Sequence, residues 1–286
     1  RVAQRVDLQG LMYGAFEARD DQGRAPVFDL TPFLTLLDWL TATDRFLSTG
    51  NAGKLAELLS DAHRLPWKQS AGGDRSELPR HLGGLATSLQ GLSDAMAVTR
   101  PVEASEQARK VDAAIDHAAS ESSRWARPFN VLLGHVREAS DFLLPGDLAA
   151  HRQLVHWYVE RGQIVQAVTL AAEWLISWTC QQLGVAQDDR EERKAVTSGI
   201  ENAMKQQSGR ELHGSERWMA SVLALPECST LLSIWSALAQ DRNDIAHCGM
   251  RKNRSTAAKL TARVSTLAAK LDELPISDGA RGEASS

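Results

Sequence analysis

Arg242, Asn243 and His247 lie close together in the stretch LAQDRNDIAHCGMRKN, residues 238–253. An arginine presents a permanently charged fork of donors that fits the oxygens of a phosphate or a carboxylate. A histidine exchanges protons near neutral pH. An asparagine donates and accepts hydrogen bonds without charge. Side chains of these three types suit binding an anion and moving a proton beside it. On a helix, Asn243 and His247 are four apart and share a face. Arg242 and His247 are five apart, about 140° around the axis, a gap that a long guanidinium stem can bridge.

The helix that must position them starts near Glu227, and its apolar stripe runs through Leu231, Trp235 and Leu238 to Arg242 itself. An arginine thus stands in line with core positions, and two readings are open. In one, Arg242 pairs with a buried carboxylate such as Glu173, and His247 is a polar residue near a helix end. In the other, the set is catalytic. Glu173 is the only charged residue between Gly162 and Gln187 and shares a face with Gln166, Thr169 and Ser177. Pairing with an arginine is its first reading, and support of a reaction its second. Downstream, Arg251, Lys252 and Arg254 suit either a path for a nucleic-acid backbone or a solvated helix terminus favoured by the helix dipole.

The rest of the chain bounds what such a site can serve. At 286 residues, 43% hydrophobic and 24% charged, it has the composition of a soluble globular protein. A net charge of -4 excludes nucleic-acid binding by bulk charge, so any such contact must be local. Cys180, Cys228 and Cys248 are too few and too irregularly spaced for a disulfide framework or a zinc site, which points to a reducing compartment and, by default, the cytoplasm. The chain opens on Arg1 without a signal pattern and reads as an internal piece of a longer protein. The weakly charged window 162–187 is broken by Gln163, Gln166, Thr169, Ser177, Thr179, Gln181 and Gln182, so it reads as a buried helix and not a membrane span.

The elements read as almost all helical. Residues 6–18 suggest a short terminal strand, followed by a polar linker. A helix opens with Thr31 as N-cap and Pro32 at its first position, carries apolar residues at 33, 36, 37, 40 and 47, and closes at Gly50. A short helix over 52–60 precedes a glycine- and proline-containing loop. Further helices are predicted at 79–98, with a stripe at 82, 85, 89, 92 and 96, then at 102–123 and 128–143. Pro145 and Gly146 end that run and Asp147 caps the next. Helices over 147–160, 163–183, 189–207, 227–248 and 253–273 follow, and the tail from 276 is polar and glycine-rich, the composition of a disordered end. The eight tryptophans, Trp157, Trp174, Trp178 and Trp235 among them, read as core, and His151, His156 and His213 as isolated structural or solvent-facing residues.

RNDIAH, residues 242–247, resembles the R-x4-6-H signature of HEPN ribonucleases and falls on the penultimate helix, where that family carries it. Residues 13–51 resemble the segment joining sensor to helical region in CRISPR-associated CARF-HEPN proteins. Residues 156–178, HWYVERGQIVQAVTLAAEWLISW, resemble the first long HEPN helix. The resemblance implies an all-α fold: a terminal strand and linker of a truncated Rossmann-like CARF sensor over 1–25, a helical region over 26–146, a HEPN domain over 147–275 and a disordered tail over 276–286. It implies an endoribonuclease of type III CRISPR antiviral defence, a homodimer whose two Arg-His pairs line one cleft, activated in the intact protein by cyclic oligoadenylate. The catalytic residues would be Arg242, Asn243 and His247, the RNA path Arg251, Lys252 and Arg254, with Glu173 in support and no metal or other cofactor. RNA carries its own nucleophile, the 2′-hydroxyl, so a site that orients the phosphate, stabilises its charge and manages two protons can cut it. The alternatives are a non-catalytic helical adaptor that dimerises or binds RNA, and a stand-alone HEPN toxin; the linker block at 13–51 speaks against the toxin.

Overall fold

A computed structural model describes residues 10–70, 75–212, 216–250, 252 and 254–276. The fold is all-α apart from one two-stranded sheet, with twelve α-helices among the described residues. The chain divides into two compact units, residues 1–94 with 107–141 and residues 95–106 with 142–286.

In the first unit, β1 (Met12–Gly14) pairs antiparallel with β2 (Val27–Asp29), Tyr13 opposite Phe28. The sequence suggested one strand over 6–18; its first residues lie outside the described part, and the partner strand was missed. The signal for it was the turn between: Asp20 Oδ1 accepts from the backbone of Gln22 and Arg24 at 2.9 Å each, and Gly23 takes φ 74°. α1 (Thr31–Thr49) follows with Pro32 in its first turn and closes on Gly50 at φ 75°. Thr31 is not its N-cap. Leu30 holds that place, Asp29 Oδ1 accepts the Thr31 N–H at 2.9 Å, and the Thr31 hydroxyl accepts from the Leu11 N–H at 3.1 Å. Side-chain and backbone hydrogen bonds from Thr31 hold the Asp29 carboxyl below the usual carboxylate range.

α1 carries two apolar stripes, and the expected one is not the buried one. Trp39, Ala42, Thr43 and Phe46 face inward, with Trp39 against the Phe129 ring, whereas Phe33, Leu37 and Leu40 are exposed. α2 (Gly53–Gln69) is longer than the predicted 52–60: it continues through Pro66, and Trp67 is held by its indole N–H donating to Pro79 O at 2.7 Å. α3 (Leu82–Ala97) buries Leu82, Leu85, Leu89, Leu92 and Met96, the stripe read from sequence. α4 (Pro101–Trp125) also fits its prediction. The single helix predicted over 128–143 is instead α5 (Arg127–Asn130), α6 (Leu133–Glu138) and a 3-10 turn at Asp141–Leu143. Phe129, Leu133 and Val136 are buried at helical spacing, but the helix breaks between Asn130 and Leu133.

The second unit holds α7 (Leu148–Glu160), α8 (Ile164–Gln182), α9 (Arg190–Gln207), α10 (Met219–Leu223), α11 (Cys228–Ala246) and α12 (Ala257–Leu271). Short polar side chains start three of them. Asp147 accepts from Ala150 N at 2.9 Å, Asp189 from Glu191 N at 2.8 Å, and Thr256 from Lys259 N at 3.3 Å. α8 is the central helix, in contact with α7, α9, α11 and α12. That position accounts for its near lack of charge. Trp174 and Trp178 are completely buried on it, and their indole N–H groups donate to Leu148 O and Pro275 O at 2.7 Å each. Burying an indole removes roughly 150–250 Å² from water, worth about 4–6 kcal/mol before ordering costs. No helix among the described residues is long and apolar enough to cross a membrane. α10, a turn and a half long, was not predicted. It packs on α9 where Gly199 sits; a Cβ there would lie 2.9 Å from Trp218 Cβ and 3.1 Å from the Trp218 carbonyl carbon.

Candidate functional site

α11 positions the candidate residues. It buries Leu231, Leu232, Ile234, Trp235 and Leu238, which pack it against α8 and α12. The buried line does not end on Arg242, as the sequence suggested, but on Asp241, which is 1% exposed and seven residues beyond the fully buried Ile234. Seven residues are nearly two helical turns, so Asp241 repeats the direction of Ile234 while Arg242 repeats that of Trp235. Trp235 lies at the edge of the core, and the line through it opens into a cleft.

That cleft, about 340 Å³, is lined by Ala172 of α8, Glu201 of α9, and Trp235, Leu238, Ala239, Arg242, Asn243 and Ala246 of α11. Arg242 and Asn243 are therefore brought together at one wall. The Arg242 guanidinium makes no ion pair or hydrogen bond among the described residues, and neither does the carboxylate of Glu201. Both side chains are exposed to solvent at the cleft wall. Glu173 does not meet Arg242: its carboxylate pairs with Arg193 at 2.8 Å, and Arg193 also donates to Ser177 Oγ at 2.7 Å and to Gln187 O at 3.0 Å. The pairing reading of Arg242 thus fails on its proposed partner.

His247 is the C-cap residue of α11, exposed, directly after the cleft-lining Ala246, and is not itself part of the lining. Its N–H still bonds back to Asn243 O at 3.2 Å. Beyond it the chain reverses through two left-handed residues, Cys248 at φ 51° and Gly249 at φ 65°. Only Gly249 adopts that conformation freely; Cys248 carries a cost on the order of 1–2 kcal/mol. Lys252 and Arg254 follow, both exposed, at the same end of α11 as His247. Arg251 lies outside the described residues.

Asp241 holds this end in place. Arg263 of α12 donates to Asp241 Oδ1 through Nε at 2.9 Å and again through Nη2, while its Nη1 reaches Ser255 Oγ at 2.7 Å. Asp244 Oδ2 accepts from Ser255 N at 3.2 Å. Ser255 is thereby tied to both α11 and α12. Asp241 Oδ2 is buried without a hydrogen-bond partner.

Sequence reading missed two parts of this site. Glu201 carries no signal, because nothing in α9 separates it from Glu191 or Glu192. Arg263 did carry one: it lies four residues before the buried Leu267, on the inward face of α12. Of the tryptophans read as core, Trp39, Trp157, Trp174, Trp178 and Trp235 are buried, whereas Trp67, Trp125 and Trp218 are half-buried. Two of the three isolated histidines are engaged or enclosed. His156 Nε2 lies 3.2 Å from Asp272 Oδ1, and His151 has a buried Nε2 without a partner; His213 lies outside the described residues. Cys180 and Cys228 are buried free thiols, and burial raises both above the ordinary thiol range; Cys248 is exposed. Among the described residues no group of three or more His, Cys, Asp or Glu side chains is gathered as a metal site requires.

Residues 35–141 match the family model for CRISPR-associated protein MJ1674, second domain. That part of the chain is similar to a CRISPR-associated protein family. The match spans α1 to α6 and ends before the Asp147 cap of α7, so the cleft and α11 lie outside it. No curated protein matches the chain.

Proposed function

We propose that the chain is a HEPN-type endoribonuclease of type III CRISPR antiviral defence that cuts single-stranded RNA by attack of the 2′-hydroxyl, without a metal. The observation that carries the reading is Arg242, without an ion pair among the described residues, beside Asn243 in the cleft at the end of α11, with the exposed His247 one residue past its rim. The match of residues 35–141 to a CRISPR-associated family supports the biological setting.

In the proposed reaction the 2′-oxygen attacks the adjacent phosphorus in line with the departing 5′-oxygen. The P–O5′ bond breaks, the 2′-hydroxyl proton is removed and the 5′-oxygen is protonated. The products are a 2′,3′-cyclic phosphate and a 5′-hydroxyl. Arg242, exposed at the cleft wall, receives the developing negative charge on the non-bridging oxygens through its fork of donors. His247 exchanges one of the two protons. Asn243 orients the phosphate or the imidazole by hydrogen bonding. His247 stands outside the cleft of its own chain, and this supports a homodimer in which two α11 ends meet and form a composite site. Lys252, Arg254 and Arg251 would guide the RNA backbone, and Glu173, through Arg193, supports the α8–α9 wall. Cyclic oligoadenylate would act through a CARF-type sensor of the intact protein, in the cytoplasm, and not on the helical portion.

Incubation with a labelled single-stranded RNA in the presence of a chelator tests this. Cleavage leaving 2′,3′-cyclic phosphate ends is expected, with no cleavage of DNA or 2′-O-methylated RNA. Arg242→Ala should lower kcat by ~10²- to 10³-fold, the usual effect of losing one charge-stabilising donor. His247→Ala should lower it by about 10²- to 10⁴-fold. Arg242→Lys keeps the charge but loses the fork and should stay strongly impaired. Full activity in Arg242→Ala and His247→Ala would remove the HEPN reading.

A further inference from the structure

The cleft offers more than a phosphate site. Five of its eight lining residues, Ala172, Trp235, Leu238, Ala239 and Ala246, are apolar, and the other three are Glu201, Arg242 and Asn243. This is the composition of a small-molecule pocket: apolar walls with a few placed polar groups that fix orientation. A phosphate alone does not match it. An ion needs no apolar wall, and a carboxylate in the lining repels it.

The charges impose a further condition. Glu201 and Arg242 line one cleft from different helices, and neither pairs with the other or with any described residue. Exposed opposite charges that line one largely apolar cleft without joining fit a ligand with an anionic end and a hydrogen-donating end, joined by a flat apolar body. A ribonucleotide unit is such a ligand. In the cleft its phosphate would meet Arg242, its base would lie along the apolar wall, and the base edge would turn its N–H groups to Glu201. Single-stranded RNA lets a base leave the stack and be read on that edge.

An ionised carboxylate only accepts hydrogen bonds, which ranks the four bases. Guanine presents two adjacent N–H donors on its Watson–Crick edge, N1–H and N2–H, matched to the two oxygens of one carboxylate. Adenine and cytosine present an amino group beside a ring nitrogen acceptor that repels a carboxylate. Uracil presents one N–H between two carbonyl oxygens, both repulsive. We infer that the cleft is a guanine subsite next to the scissile phosphate, with Glu201 as the residue that determines base specificity. This rests on the ribonuclease reading of Arg242 above and adds to it which nucleotide is held.

The test has two arms on the full chain. The first is sequencing of cleavage sites in a randomised single-stranded RNA, with kcat/KM on matched oligonucleotides that differ only in the base beside the cut. A good bidentate base contact discriminates by roughly 5- to 150-fold, so guanine should be preferred by about tenfold or more. Glu201→Gln places an amide N–H against a guanine N–H, so the preference should shrink to within about twofold, whatever happens to the absolute rate. A variant that only loosened the fold would lower all four substrates together and leave the ratio in place. The second arm measures binding of GMP, AMP, CMP and UMP by calorimetry, independently of cutting. GMP should bind tightest, and Glu201→Gln should erase its advantage. Arg242-dependent cutting without guanine preference, or a preference that survives Glu201→Gln, overturns the subsite but leaves the ribonuclease. Absence of RNA cleavage together with equal binding of the four nucleotides overturns both. GMP-selective, Glu201-dependent binding without cleavage keeps the subsite and overturns the ribonuclease.

Discussion

Replacing Arg263 by alanine should weaken the fold far more than the loss of an ordinary surface ion pair. Its partner Asp241 is 1% exposed, and its carboxylate has one oxygen bonded to Arg263 and the other to nothing. Removing the arginine leaves a buried charge with no compensation. Breaking a buried pair from one side costs about 3–5 kcal/mol, whereas exposed pairs are worth ~0.2–1 kcal/mol. The Arg263 side chain is 36% exposed, so water partly substitutes for it and the lower end, ~3 kcal/mol, is the expected value. Urea unfolding followed by circular dichroism reads this as a shift in midpoint at unchanged slope. The double variant Asp241→Leu/Arg263→Met should recover most of the loss, since an apolar pair of similar volume replaces a buried ion pair at little cost. Arg242 follows Asp241 directly, so RNA cutting should fall in the single variant and return with stability in the double. A loss under about 1 kcal/mol in Arg263→Ala, or a double variant no better than the single, would refute the view that this pair fixes the end of α11.

Gly199→Ala improves intrinsic helix propensity by about 1 kcal/mol, but its methyl would lie 2.9 Å from Trp218 Cβ, with backbone behind it; a net loss of ~1–2 kcal/mol in urea unfolding is expected, and a gain would show that α10 is free to move. His151 gives a pH dependence. Burial, partly offset by Asp147, holds its imidazole below the ordinary histidine value, so the unfolded chain takes up the proton first as pH falls. Its stabilising contribution is present above pH ~6.5 and is lost as pH falls through that value toward the folded one. Between about pH 7.5 and pH 5.5 the wild type should therefore lose stability more steeply than His151→Gln, and equal slopes would count against the assignment.

What the sequence shows of the fold follows from which signals are local. Caps at Asp147, Asp189 and Thr256 and the stop at Gly50 act within one turn of their own helix, and the helices they bound were legible. The stripe of α3 was legible because it is the only apolar line on that helix. α1 misled because Phe33, Leu37 and Leu40 compete with Trp39, Ala42 and Phe46. Which line turns inward depends on Phe129, ninety residues away, which no local period can report. Strand β2 was missed for a related reason, since three residues become a strand only through their partner.

The site divides in the same way. Arg242, Asn243 and His247 stand out because they are neighbours on one helix, and helical spacing alone relates them. Glu201 enters the cleft from α9 and has meaning only once α9 and α11 are placed around α8. Asp241 shows how far periodicity reaches and where it stops. Counting from Trp235, the line read from the sequence, puts Arg242 on the core line, whereas counting from Ile234, a line not read from the sequence, would have put Asp241 there. The two lines differ by one residue, about 100° of rotation, and only packing against α12 decides between them. The outcome sets the chemistry: the buried carboxylate takes Arg263, and Arg242 is left without a partner among the described residues, at the wall of a cleft in which a ligand can supply one.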